Sequence, residues 1–115
     1  MIEKGFVKTI VQKIVFLEKR ITHIALNSSD IEGAIVSNIL IKKIEEKDEL
    51  INLLKKIKSF VEKLKEDNKK LFILYYVYGE PESVILSNFG FSSRTCYRKI
   101  KKLKNLMEGK GIVYA

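Results

Sequence analysis

The 115-residue chain has no tryptophan, one cysteine, one proline and one histidine. A single thiol, Cys96, cannot close a disulfide within the chain and cannot build a thiolate metal site. His23 stands without a cysteine or carboxylate cluster at ligand spacing, so it reads as a packed or surface side chain. There is no glycine-rich phosphate loop, no carboxylate pair placed for acid–base work and no nucleophile–histidine pairing. The chain is therefore expected not to be an enzyme and to use no cofactor. One proline and six glycines leave few chain-breakers, which favours long helices over many short strands. No apolar run is long enough for a signal peptide or a membrane span, so a cytoplasmic protein that makes no use of a membrane is expected.

What the chain does have is apolar residues and positive charge. Hydrophobic residues make up 46%, enough for a packed core. The formal net charge is +8, from 22 basic and 14 acidic residues. The surplus is localised: residues 90–115 carry seven basic groups and one acidic group, whereas residues 71–89 carry two acidic groups and no basic one. A basic surplus gathered in one segment points to a polyanionic partner.

Hydrophobic periodicity predicts an all-α fold. Val7, Ile10, Ile14, Leu17, Ile21 and Ile24 recur at spacings of 3, 4, 3, 4 and 3, a heptad seam on a helix from Gly5 to Leu26. Val11 and Val15 widen that stripe and call for a broad partner. The polar run Asn27-Ser28-Ser29-Asp30 breaks the pattern, and Ser29 with Glu32 matches a capping box. A second helix is expected over Ile31–Lys43, with Ile35, Ile39 and Leu40 inward. A third is expected over Lys47–Glu66, with Leu50, Leu54, Ile57, Val61 and Leu64 as its seam and Leu53 and Phe60 beside it. No proline or glycine separates the two, so they could be continuous.

Asp67-Asn68 is expected to cap the next helix, Asn68–Tyr78. Its run from Leu71 to Tyr78 is apolar and aromatic, a composition that also suits a strand. The cap before it, Gly79 after it and the helical patterns that follow favour a buried helix. Tyr75, Tyr76 and Tyr78 are expected in the core. Pro81 suits a first helical turn and opens a short helix, Pro81–Asn88, with Val84 and Ile85 inward. Gly90 is expected to supply tight or left-handed backbone to a turn. Ser92 is a good N-cap for a last helix, Ser93–Met107, which Gly109 ends. Cys96, Ile100, Leu103 and Met107 form its apolar face, and Arg94, Arg98, Lys101 and Lys102 stand opposite.

A short helix, a turn and a basic amphipathic helix make the layout of a helix-turn-helix. A major groove admits one helix, which must bury one side and offer the other to base edges. The candidate DNA-binding residues are Ser92, Ser93, Arg94, Tyr97, Arg98, Lys99, Lys101 and Lys102. Arginine can grip guanine bidentately, and hydroxyls reach phosphates or base edges. Lys99, Lys101, Lys102 and Lys104 are better placed for phosphates, which give affinity without sequence choice. The expected division is a helical arm, 1–66, for dimerisation or partner binding, and a DNA-binding module, 67–115.

The stretch NKKLFILYYVYGEPESVILSNFGFSSRTCYRKIKKLKNLM, residues 68–107, resembles region 4 of bacterial sigma factors. More closely it looks like the small phage-encoded late-transcription regulators of the ArpU and RinA kind. The match centres on Gly90-Phe91-Ser92-Ser93-Arg94-Thr95-Cys96-Tyr97-Arg98, with Cys96 where valine is usual. This resemblance, over 40 of 115 residues, implies a sequence-specific transcription regulator from a phage or mobile element, an activator of late genes. It also implies that Ser93, Arg94, Tyr97 and Arg98 read bases. Expected partners are double-stranded DNA, a second copy in a homodimer, and RNA polymerase. Two other functions fit the pattern: a module that binds polymerase, a sigma factor or another regulator through its N-terminal helices, and a small DNA-packaging recognition subunit.

Overall fold

The computed structural model of the chain describes residues 2–27 and 33–114. Among these residues it is all helical: α1 (Phe6–Asn27), α2 (Gly33–Glu62), α3 (Glu66–Phe72) running on into a π-helical turn (Ile73–Val77), α4 (Glu82–Asn88) and α5 (Ser93–Gly109). None of the helices is long and apolar enough to cross a membrane. The expected capping box of Ser29 and Glu32, the start at Ile31 and the side chain of Ile35 lie outside the described residues.

The second and third expected helices are one. With no helix-breaker between them, α2 runs for 30 residues, about 45 Å at 1.5 Å per residue. It folds back along α1, and Lys13 of α1 bridges Glu46 of α2 at 3.2 Å. α2 stops at Glu62, short of the expected Glu66, because Glu66 already opens α3. Lys65 is the N-cap of α3, with extended backbone and no side-chain cap. Asp67 and Asn68 are thus inside the helix and do not cap it. Glu66 and Asp67 instead lie in the first turn, where negative charge complements the helix dipole.

The aromatic run is helical, as expected, but its ladder widens. The Tyr78 amide donates to the Ile73 carbonyl at 3.0 Å, an i to i+5 bond. The backbone of the N-terminal segment completes this helix end: the Gly5 amide donates to the Tyr75 carbonyl at 2.9 Å. Gly5 and Gly79 both take positive φ and face each other, and a Cβ on Gly79 would come within 3.3 Å of the Gly5 Cα. Glycine at position 79 permits that approach, and positive φ favours glycine at both positions.

One core joins these elements. Phe6, Ile10 and Leu17 of α1 pack with Leu50, Ile57 and Phe60 of α2, Leu71 and Phe72 of α3, Tyr76, Ile85, and Cys96, Leu103 and Met107 of α5. Fully burying a side chain of this size is worth about 1.5–3 kcal/mol. Ring contacts knit α1, α2 and α3: Phe6 to Tyr76 at 5.8 Å, Phe72 to Tyr76 at 5.3 Å, and Phe60 to Phe72 at 6.0 Å. The core therefore crosses the expected boundary between arm and module. It also lies toward one end of a molecule measuring 63 × 26 × 20 Å. Farther out on the hairpin, Ile21, Ile24 and Leu40 are only half-buried.

Several expected inward residues face solvent. Ile39 is exposed, as are Val84 on α4 and Tyr78 at the end of the π-helical turn. Ile85 alone fills the core from α4, with Leu86 packed beside it. Among the three tyrosines Tyr76 is buried and Tyr75 half-buried.

Candidate nucleic-acid interface

α4 and α5 are held by their caps and by what lies beneath them. Pro81 is the N-cap of α4, one residue before the helical turn expected to contain it. Its φ of −66° and ψ of 157° suit proline, and its carbonyl accepts from the amides of Val84 and Ile85 at 3.0 and 3.2 Å. An N-cap residue makes no intrahelical use of its own N–H, so proline loses nothing there. The chain then turns through Phe89, Gly90 and Phe91. Gly90 does not adopt positive φ, and a Cβ there would meet nothing within 4 Å. The turn is set instead by stacking of the Phe89 and Phe91 rings, 4.7 Å apart and nearly parallel.

Ser92 caps α5 as the sequence predicts. Its Oγ accepts from the Thr95 amide at 3.3 Å and donates to the Thr95 hydroxyl at 3.1 Å. At the other end Gly109 is still helical. Gly111, two residues later, takes the left-handed conformation, with φ +75°. The Ile112 amide bonds the Met107 carbonyl at 3.0 Å, and the Gly111 amide bonds the Glu108 carbonyl at 3.1 Å. This paired closure is the Schellman arrangement, and it folds Ile112 into the core.

Between the caps, Cys96, Leu103 and Met107 are buried. Burial, with the Glu82 carboxylate second, pushes the Cys96 thiol above its ordinary range and keeps it protonated. The Tyr76 hydroxyl reaches from the π-helical turn to the Ile100 carbonyl at 2.8 Å. α5 is thereby fixed along one side. Its opposite side presents Arg94, Tyr97, Arg98 and Lys101, all exposed, with Tyr97 at 71%. Lys102 is exposed on the flank, while Lys99 and Lys104 are half-buried. Among the described residues, no carboxylate is paired with a cation of α5.

Two sequence-predicted residues are engaged within the protein. The Ser93 hydroxyl donates to Glu82 Oε1 across the α4–α5 junction, so it is a clasp between the helices. Lys99 Nζ lies over the Phe91 ring at 5.4 Å. Lys70 of α3 lies over Phe89 at 5.5 Å, so a cation sits on each ring of the stacked pair. An aromatic face attracts a cation through its quadrupole, and the stem packs on the ring.

Sequence reading missed three residues at this surface. Lys70 belongs to a helix far from the basic segment in sequence. Lys4 and Tyr75 line a groove of about 280 Å³ with Glu82 and Tyr97, beside the start of α5. Burial, and next the neighbouring Tyr97, raises the Tyr75 phenol above its ordinary range. Nothing local to residues 92–102 signals any of the three, because tertiary packing alone brings them there.

Compared with known protein families, with curated proteins and with solved structures, the chain matches none.

Proposed function

We propose that this chain is a sequence-specific DNA-binding regulator of transcription that reads duplex DNA with α5. One observation carries the reading. The helix with the greatest concentration of basic residues buries one side in the core and leaves Arg94, Tyr97, Arg98 and Lys101 projecting from the other. The order of α4, turn and α5 supports a helix-turn-helix, the layout that such a reader needs. Arg94 and Arg98 have the planar, forked guanidinium groups that pair with guanine O6 and N7. Lys101 and Lys102, with Lys99 and Lys104 to the flanks, supply phosphate contacts. The resemblance of residues 68–107 to phage late-transcription regulators supports the same class and adds RNA polymerase as a partner, acting in the cytoplasm of a bacterial cell.

The test is selection from random duplexes by the purified protein at two salt concentrations, beside an Arg94→Ala/Arg98→Ala variant. A single enriched motif, weakened by salt and lost in the variant, is the expected result. Failure to enrich any motif, with binding gone at physiological salt, would overturn the DNA-reading function and favour a module that binds another regulator.

A further inference from the structure

The end of α2 and the residues that follow α5 enclose a groove of about 540 Å³. Four exposed lysines stand around it: Lys55 and Lys56 of α2, Lys63 just past its end, and Lys110, the C-cap of α5. Buried Phe60 and Ile112 and half-buried Leu64 form its floor. Each part has a local cause. Residues three or four apart share a helix face, which sets Asn52, Lys55, Lys56 and Ser59 along one strip of α2. The left-handed turn at Gly111 brings Ile112 into the core beside that strip. The Lys56 ammonium lies 3.9 Å from where a Gly111 Cβ would stand, so α2 and the chain after α5 meet closely there.

The charge around this groove has one sign. Among the described residues no carboxylate lines it, and none of the four lysines is in an ion pair. Glu49 lines a neighbouring groove instead. Glu62, by the roughly 100° advance per residue of a helix, falls outside the strip, on the Lys55 side. The C-terminal ends of α2 and α5 bring about half a negative charge each, so the four ammonium groups keep a surplus of about three. The groove of similar size beside Tyr97 is different, since it mixes Lys4, Lys101 and Lys104 with Glu3 and Glu108.

We propose that this groove binds a small amphiphilic anion, an aliphatic carboxylate whose chain lies on Phe60, Leu64 and Ile112 and whose head group meets the lysines. Small-molecule sites are mostly apolar clefts of about 300–1,000 Å³ in which a few polar groups fix the orientation, and this groove is of that kind. The lysine stems extend the apolar surface while their ammonium groups stay in water. Charge selects the head group, and the floor selects the body. A nucleic-acid backbone would use the cations and leave the floor uncovered. The site also stands apart from the leading end of α5, since about 25 Å of helix separates Ser93 from Lys110. Ligand binding therefore does not rest on the proposed function.

The experiment measures uptake of decanoate by the full chain in equilibrium dialysis, without DNA and below the concentration at which decanoate forms micelles. One decanoate per chain is expected. Decanol, the body without the charge, and acetate, the charge without the body, are each expected to bind about tenfold more weakly or worse. The variant Lys55→Gln/Lys56→Gln/Lys63→Gln/Lys110→Gln is expected to weaken decanoate binding by a similar factor. The variant Lys8→Gln/Lys19→Gln/Arg20→Gln/Lys42→Gln removes as much charge from exposed sites elsewhere and is expected to bind as the parent does. No uptake, equal binding of decanol and decanoate, or an equal loss in both variants would overturn the site. Binding to phosphatidylglycerol vesicles with no uptake of free decanoate would overturn it in favour of a membrane surface. If the first variant loses helical circular dichroism, the amide shifts of the parent chain with decanoate decide. Shifts gathered at residues 52–64 and 110–112 support the site, and shifts elsewhere overturn it.

Discussion

Tyr76 and Ile100 are joined by a 2.8 Å hydrogen bond from phenol to main-chain carbonyl, which ties the π-helical turn to the middle of α5. Tyr76→Phe keeps the ring contacts and removes this bond. A hydrogen bond of this kind contributes about 0.5–1.5 kcal/mol net. The variant is expected to lose that much stability, read as a lower urea midpoint with an unchanged slope. The pH dependence adds a second signature. Burial, then the neighbouring Tyr75 and Glu108, hold the Tyr76 phenol well above its ordinary range. Above about pH 10 the unfolded chain gives up this proton and the folded chain retains it. The stabilisation is complete below that pH and is lost as pH rises toward the folded value. Stability of the parent chain should fall more steeply above about pH 10 than that of Tyr76→Phe. Parallel curves would show that the buried phenol is not linked to folding.

The glycines separate by conformation. Gly79 has φ +65°, and a Cβ there would press on the Gly5 backbone. Gly79→Ala is expected to lower stability by more than about 1 kcal/mol. Gly90→Ala meets no atom and is expected to be neutral or to stabilise by about 0.4–1 kcal/mol, since it restricts the unfolded chain. Thermal melts of the two variants check the order, and an equal loss in both would contradict it.

Phosphate and base contacts should part under salt. Lys101→Ala and Lys102→Ala are each expected to reduce the slope of log affinity against log salt by about 1 while leaving the selected motif intact. Arg94→Ala is expected to cost about 1–3 kcal/mol of discrimination at one position of the motif. Fluorescence anisotropy on the selected duplex and on a single-base variant measures both.

The Glu82 carboxylate accepts from Ser93 at the very start of α5, where DNA phosphates would approach. Glu82→Gln keeps an acceptor for Ser93 and removes a negative charge. DNA affinity should rise a few-fold at low salt, equally for all sequences, and the gain should fade as salt screens it. An unchanged or weaker affinity would mean that Glu82 faces no phosphate.

The seams of α1 and α2 were legible because a 3.5-residue period has one structural meaning, and residues such as Ile10, Leu17 and Ile57 are buried as that period requires. Ser92 was legible as a cap because a serine before a helix has a local job to do. Glycines were less legible: residue identity does not report φ, so Gly90 and Gly109 drew roles that belong to stacked phenylalanines and to Gly111. Ile39 and Val84 share the composition of core residues yet face solvent, since burial depends on what lies opposite. The basic face of α5 could be read from spacing alone. The engagement of Ser93 by Glu82, of Lys99 by Phe91, and the arrival of Lys70 and Lys4 could not, because each depends on a turn or on chain-end packing.

The Gly5–Tyr75 bond and the Phe6–Tyr76 contact have a consequence for the order in which the protein can form. Their partners are separated by about 70 residues, so a ribosome must make most of the chain before the start of the first helix can be covered. Closing so long a segment carries an entropic cost that local helix formation does not repay. During synthesis α1 is thus an amphipathic helix in search of cover, and α2 is the first to arrive. The arm is expected to zip early, and the basic helix to be seated last, when Met107 and Ile112 complete the core.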